Sequence, residues 1–237
     1  MYRKLQNSEL NRKSTDEMKS VEKLPFTVIL DNVRSLNNVG SVFRTSDAFF
    51  MEQIFLCGIT ATPPHRDIQK TALGATESVH WKYFPSTIEA VQRLKETGYK
   101  IAVVEQTENS TKLNEFVFPK NKKWAIVFGN EVEGVSQDVI NLSDVVIEIP
   151  QFGTKHSLNI SVSAGIAAIR LARATTGRRP ANQPFHDRAI SSHGVRIGTA
   201  QHPLRPIRLF GAVGNCSACV ATAVSEIRSG RRHFRPR

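Results

Sequence analysis

Apolar positions along the first 175 residues come in short bursts separated by polar stretches, and the bursts differ in period. FTVIL, Phe26 to Leu30, is a β-rich apolar run and reads as a buried strand. VGSVFRTSDAFF, residues 39–50, reads as a helix, and QIFLCG, residues 53–58, as a second strand. STIEAVQRLKETG opens with Ser86 and Glu89 in the spacing of a helix-capping box. Its Ile88, Val91 and Leu94 share a face, and Gly98 suits the C-terminal stop. Further strands are expected at YKIAVVE, WAIVFG and VVIEIP, with a short helix from Ser136 to Leu142 between the last two. A final helix beginning near Ser157 aligns Leu158, Val162, Ile166 and Ile169 in one stripe. At the other end, Ser14 and Glu17 form a capping-box pair with Met18 and Val21 as inward residues. Residues 1–24 therefore read as a helical N-terminal extension.

Strands alternating with helices imply an α/β fold with a mostly parallel sheet covered on both faces. Ligands in such sheets bind beyond the carboxyl ends of the strands. That directs attention to the polar loops after Leu30, Phe128 and Ile149.

Composition modifies this picture at three points. No apolar run is long enough to span a membrane, and the polar N-terminus lacks the apolar segment of a signal peptide. Cys57, Cys216 and Cys219 do not make a disulfide framework, so a reducing cytoplasm is expected. The net charge of +11 is unevenly placed: from Arg178 onward there are eleven Arg, no Lys, one Asp and one Glu, which leaves only +2 for residues 1–177. Three readings fit the Arg-rich tail, residues 176–237. It is an RNA-binding arm, it holds a zinc site at the Cys216–Cys219 pair, or it is a shifted reading frame. The abrupt loss of Lys and acidic residues favours the last.

The three loops carry the candidate chemistry. DNVRSLNNVGSVFRTSD places Asn32, Arg34, Asn37, Asn38 and Arg44 after a strand and into a helix. An amide at Asn38 both donates and accepts, Arg44 offers a planar fork, and Gly40 permits close backbone approach. Taken alone, the loop is equally well explained by Asn38 capping and a surface Arg44. VFGNEVEGVS brackets Asn130, Glu131 and Glu133 between Gly129 and Gly134, which alone would be an acidic turn. IPQFGTKHSLNISVSAGI leads into a helix N-terminus through Ser157 and Asn159. There Ser163, Ala164, Gly165, Ala167 and Ala168 remove bulk, so that another segment can pack closely. No Gly-x-Gly-x-x-Gly or P-loop pattern occurs, and the body of the chain has no metal-ligand cluster.

In order and spacing, NNVGSVFRTSDAF, VFGNEVEGVS and IPQFGTKHSLNISVSAGI resemble the three signature motifs of the SpoU family of RNA 2′-O-ribose methyltransferases, in the SPOUT superfamily. The resemblance covers about residues 25–170 and delimits a methyltransferase domain over residues 25–175. It implies an α/β fold with a C-terminal trefoil knot, a homodimer and S-adenosylmethionine as methyl donor. Asn38 and Arg44 match the first motif's catalytic Asn and Arg, Glu131 the second motif's functional carboxylate, and Ser157 and Asn159 the polar pair of the third. Gly129, Ile149, Leu158 and Ser157 match cofactor-binding positions. The family assigns activation of the ribose hydroxyl to the Arg. A guanidinium is a poor proton acceptor at neutral pH, so Arg44 is better read as an electrostatic stabiliser of the developing alkoxide. The expected substrate is tRNA, with a D-loop guanosine as first choice and rRNA next. Two alternatives remain: a non-catalytic RNA-binding protein of this fold, and a base-methylating SPOUT enzyme.

Overall fold

The computed structural model describes residues 2–175. The central strand β1 (Leu24–Asp31) is buried over its last six residues, as a strand covered on both faces must be. Parallel to it run β2 (Met51–Cys57) on one side and β6 (Lys123–Phe128) on the other. With β3 (His80–Phe84), β4 (Tyr99–Val104), β5 (Thr111–Lys112) and β7 (Val145–Glu148), they form one seven-stranded sheet in the order β3-β2-β1-β6-β4-β7-β5, and every pairing is parallel. The chain fills one side through β3, then crosses to β4 and leaves room for β6 to return beside β1. This reversal is the place where open parallel sheets form ligand crevices.

Period-two alternation along the strands feeds two cores. Val28, Leu30, Ile54, Leu56, Ile126 and Ile147 face helices α2 (Leu36–Ala48), α3 (Arg66–Ala72) and α7 (Ile160–Thr175). Ile29, Phe55, Ile101, Val103, Ala125 and Val127 face α5 (Thr87–Glu96) and α6 (Gln137–Asn141). Before β1, α1 (Thr15–Ser20) carries the complete Ser14–Glu17 capping box and buries Met18. α4 (Ala75–Ser78) precedes β3.

Three local readings change. The Ser86 hydroxyl accepts from the Ile88 N–H at 3.2 Å instead of closing a box with Glu89. Residues 59–85, which show no strong periodicity, hold α3, α4 and β3. Two of these are very short helices, and the third is an edge strand with no fully buried side chain, so each has little apolar signal to display. The third change concerns α7, which starts at Ile160 and not near Ser157. Asn159 is its cap: the Asn159 Oδ1 accepts from the Ser161 N–H at 2.9 Å, and its carbonyl accepts from Val162 and Ser163. The stripe Leu158, Val162, Ile166 and Ile169 faces outward, with exposures of 39, 49, 38 and 49%. The packed face is Ile160, Ala164, Ala167, Ala168 and Leu171. Small residues let the helix lie close to its neighbours, so the bulkiest residues are not the inward ones. Gly165 has open space around its Cα.

Gly40 is where α2 meets α3. A Cβ there would stand 2.2 Å from the Ile68 carbonyl oxygen and 2.1 Å from the Thr71 Oγ1. The carbonyl belongs to helix backbone and cannot swing aside, so Gly40→Ala is expected to destabilise the fold by about 1–3 kcal/mol, the usual scale of overpacking. Urea denaturation measures it. Unchanged stability would mean that α3 is free to shift.

Candidate functional site

The loops after β1, β4, β6 and β7 meet at the carboxyl edge of the sheet, and their shapes are set by backbone economy. After β6, the chain folds back on itself through reciprocal 3.0 Å hydrogen bonds between the main chains of Asn130 and Gly134. A Cβ on Gly129 would stand 2.2 Å from Gly134 backbone, so only glycine closes this turn. The buried Asn130 side chain completes it: Oδ1 accepts from Val132 and Glu133 at 2.8 and 3.3 Å, and Nδ2 donates to the Asn32 carbonyl at 2.8 Å. The loop after β4 braces the same turn through the Glu105 carboxylate, which accepts from the Val135 N–H at 3.0 Å.

This turn aims Glu131 at the N-terminus of α2. One carboxylate oxygen accepts from the Arg34 N–H at 3.2 Å. The other accepts from the Ser35 N–H at 3.3 Å and the Asn38 Nδ2 at 3.1 Å. The Ser35 N–H is one of the main-chain groups that a helix start leaves unsatisfied, the Ser35 hydroxyl itself caps α2 by accepting from the Asn38 N–H at 3.3 Å, and the helix dipole favours an anion there. Asn38 in turn accepts at its Oδ1 from the Asn159 Nδ2 at 3.1 Å. The side chains of Glu131 and Asn159, from two loops, and of Asn38, from the first turn of α2, thus form one hydrogen-bonded chain. Partial burial pushes the Glu131 carboxyl upward, but its own backbone N–H and the donors from Asn38, Arg34 and Ser35 outweigh that and hold it below its ordinary value.

Beside this chain lies a cavity of about 650 Å³. Gly129, Glu131, Ile149, Ser157, Leu158 and Asn159 all line it. Phe128, Ile149, Leu158 and Ile160 supply apolar wall, and the loop after β4 reaches across, with the Gln106 Nε2 donating to the His156 carbonyl at 3.0 Å. Four carboxylates, Glu105, Glu131, Glu133 and Glu148, line the cavity, and neither Lys nor Arg does among the described residues; Glu148 is paired with Lys112 at 2.6 Å, and the other three make no ion pair there. Such a wall favours a cationic ligand with an apolar body. Asn38 touches the cavity only through Glu131 and Asn159. Arg44 is not brought in. It lies six residues along α2 from Asn38, exposed, outside the cavity lining and without a hydrogen bond among the described residues. Six helical residues are about 9 Å of axis. Sequence reasoning passed over Glu105 and named Asn130 only as part of the acidic turn. Their signal was position alone, a polar residue directly beyond a strand's carboxyl end. Among the described residues no group of three or more His, Cys, Asp or Glu could hold a metal ion. The Cys216–Cys219 pair lies outside the described residues.

A reversed parallel sheet with this three-loop cavity at its carboxyl edge defines a class. Residues 25–169 match the SpoU rRNA Methylase family, and the chain belongs to that family. Among its relatives, the tRNA (guanosine(18)-2′-O)-methyltransferase of Thermus thermophilus is 29% identical over 161 residues, spanning 68% of this chain and 81% of that protein. The 23S rRNA (guanosine-2′-O-)-methyltransferase RlmB of Neisseria meningitidis is 29% identical over 151 residues, 64% of this chain and 59% of that one. In three dimensions, the AdoMet-bound rRNA methyltransferase of Sinorhizobium meliloti superposes with a TM-score of 0.60 at 23% identity, covering 66% of this chain and 59% of that one, and so shares the fold.

The depressed Glu131 carboxyl sets a pH dependence. A group whose pKa is lowered on folding contributes stability above its unfolded value, here near 4.5, and loses it as pH falls through the lower folded value. The gap in melting temperature between the native protein and Glu131→Gln should therefore be constant at neutral pH and should narrow below pH 4.5. Melting curves across that range test it. A gap that widens on acidification contradicts the ionised network.

Proposed function

We propose that this chain transfers the methyl group of S-adenosylmethionine to a ribose 2′-hydroxyl of RNA. The observation that carries the reading is the hydrogen-bonded chain Glu131–Asn38–Asn159 at the edge of an acidic, partly apolar cavity. The cavity's residues fit the cofactor: a sulfonium cation suits the carboxylate wall, and an adenosyl body suits Ile149, Leu158 and Phe128. When bound, the cofactor supplies an electrophilic methyl group for direct displacement. Gly129, Ile149, Ser157 and Leu158 form its seat. Glu131 holds the Asn38 amide in one orientation, and Asn159 fixes its other end, so Asn38 presents a rigid polar contact to the incoming ribose. Ser157 and Asn159 position groups at the rim. Arg44 lies outside this cavity, so its proposed role, electrostatic stabilisation of the developing alkoxide, requires the substrate to bridge the two, and the hydroxyl proton passes to solvent.

The names of the relatives support RNA as substrate and guanosine as the modified nucleoside, with tRNA ahead of rRNA. The exposed stripe Leu158, Val162, Ile166 and Ile169 supports a homodimer built on α7, and a monomer in sedimentation equilibrium would contradict it. The residues from Ile149 to Asn159, held under Gln106, support a trefoil knot in which this segment passes the loops after β4 and β6. Among the described residues no helix is long and apolar enough to cross a membrane, which agrees with a cytoplasmic enzyme. Residues 25–175 are the enzyme, and residues 1–24 are an extension. The tail from 176 lies outside the described residues, and its composition supports a reading-frame origin.

Incubation with RNA and methyl-labelled S-adenosylmethionine tests the reading. The label should appear in alkali-resistant 2′-O-methyl dinucleotides, and label on a base, or none, contradicts it. Arg44→Lys keeps the charge and loses the planar fork. Its single-turnover rate is expected to fall roughly 10²–10³-fold, the scale of one preorganised oxyanion donor, with cofactor affinity unchanged. A near-native rate would remove Arg44 from the chemistry.

A further inference from the structure

Beside the 130–134 turn lies a second cavity, of about 320 Å³, that shares Asn130, Glu133 and Gly134 with the first. Its floor is spent on structure. The buried Asp31 accepts from the Thr87 Oγ1 at 2.5 Å, the Asn32 Nδ2 at 2.8 Å and the Ser136 N–H at 3.4 Å, and the Asn32 Oδ1 accepts from the Ile59 N–H at 3.1 Å. The rim differs. Arg34 and Glu133 both line the cavity and both are exposed, yet no salt bridge joins them and neither side chain makes a hydrogen bond among the described residues. Beside them Ile59, an apolar side chain, is 60% exposed.

An unspent cation, an unspent anion and an apolar platform around one small cavity match a flat ring system whose edge both donates and accepts. The position is informative as well. The Arg34 main chain is bonded to Glu131, so this cavity adjoins the network that would hold the ribose. Resting on the ribose-methyltransferase reading above, we propose that the second cavity takes the base of the nucleotide being methylated, and that the base is guanine. Ile59 supports the ring face. The Glu133 carboxylate accepts from N1–H and the 2-amino group, and the Arg34 guanidinium donates to O6 and N7. Of the four bases, only guanine offers a carboxylate two adjacent donors together with this acceptor pair.

The experiment uses the full chain and transcripts of the RNA in which mass spectrometry locates the methyl group, with guanosine or inosine at that position. Inosine lacks the 2-amino group. Wild-type protein should methylate the inosine transcript about tenfold more slowly in single turnover, the scale of a lost base contact. With S-adenosylmethionine held saturating, because Glu133 also lines the first cavity, Glu133→Gln should bring the guanosine rate down to the inosine rate. Ile59→Ala should raise KM for RNA more than it lowers kcat. A mapped nucleotide other than guanosine, equal wild-type rates on the two transcripts, or discrimination retained by Glu133→Gln each overturns the proposal. A wild-type protein that methylates no RNA ribose overturns the reading beneath it, and the proposal falls with it.

Discussion

Everything placed at the carboxyl edge of this sheet depends on one hydrogen-bonded chain. Glu131 holds the main chain of Arg34 and Ser35 at the entry to α2, which Ser35 caps, and takes the Asn38 amide; Asn38 takes Asn159, which caps α7. The first link satisfies backbone donors that a helix start would otherwise leave to water, and the last does the same for α7. Capping and site geometry are therefore the same contacts. That explains how exposed side chains on loops hold a fixed arrangement: each is anchored to a helix end that the sheet has already positioned.

The sheet's reversal supplies the space. β1 and β6 are neighbours although their starts are 99 residues apart. The loops after them therefore converge where no short connection could bring them together. Gly129 lets the 130–134 turn fold against its own backbone, and that turn lends Asn130, Glu133 and Gly134 to both cavities. One cavity is larger, acidic and partly apolar. The other is smaller and amphoteric. A methyl donor and a nucleotide base need neighbouring sites of this kind, because the reacting hydroxyl lies between them.

Much of this was legible from residue order. Strands with buried runs, such as Ile101–Val103 and Ala125–Phe128, announce themselves by composition, and the loops beyond them follow. Orientation was less legible. The order of residues placed the large aliphatic side chains of α7 in one stripe without saying which way it faces; Ala164, Ala167 and Ala168 make the close contact and leave Val162, Ile166 and Ile169 outside. Hydrophobic patterning weighs side-chain size, whereas close helix packing selects for its absence. His80–Phe84 was invisible because an edge strand with exposed His80, Lys82 and Tyr83 lacks an apolar run. Arg44 shares a motif with Asn38, yet lies outside the cavity that Asn38 adjoins, since adjacency in sequence fixes neither a helix face nor a distance along the axis.

The central claim is that Glu131 acts on the chemistry through Asn38, so the two should behave as one unit. A double-mutant cycle of Asn38→Ala and Glu131→Gln, read in single-turnover methyl transfer with cofactor affinity measured alongside, tests this directly. The account predicts that the double variant is no slower than the slower single variant, within about threefold, because removing either partner already frees the amide. Rate losses that multiply would mean that the two residues act independently, and would contradict the hydrogen-bonded chain as the organiser of the site.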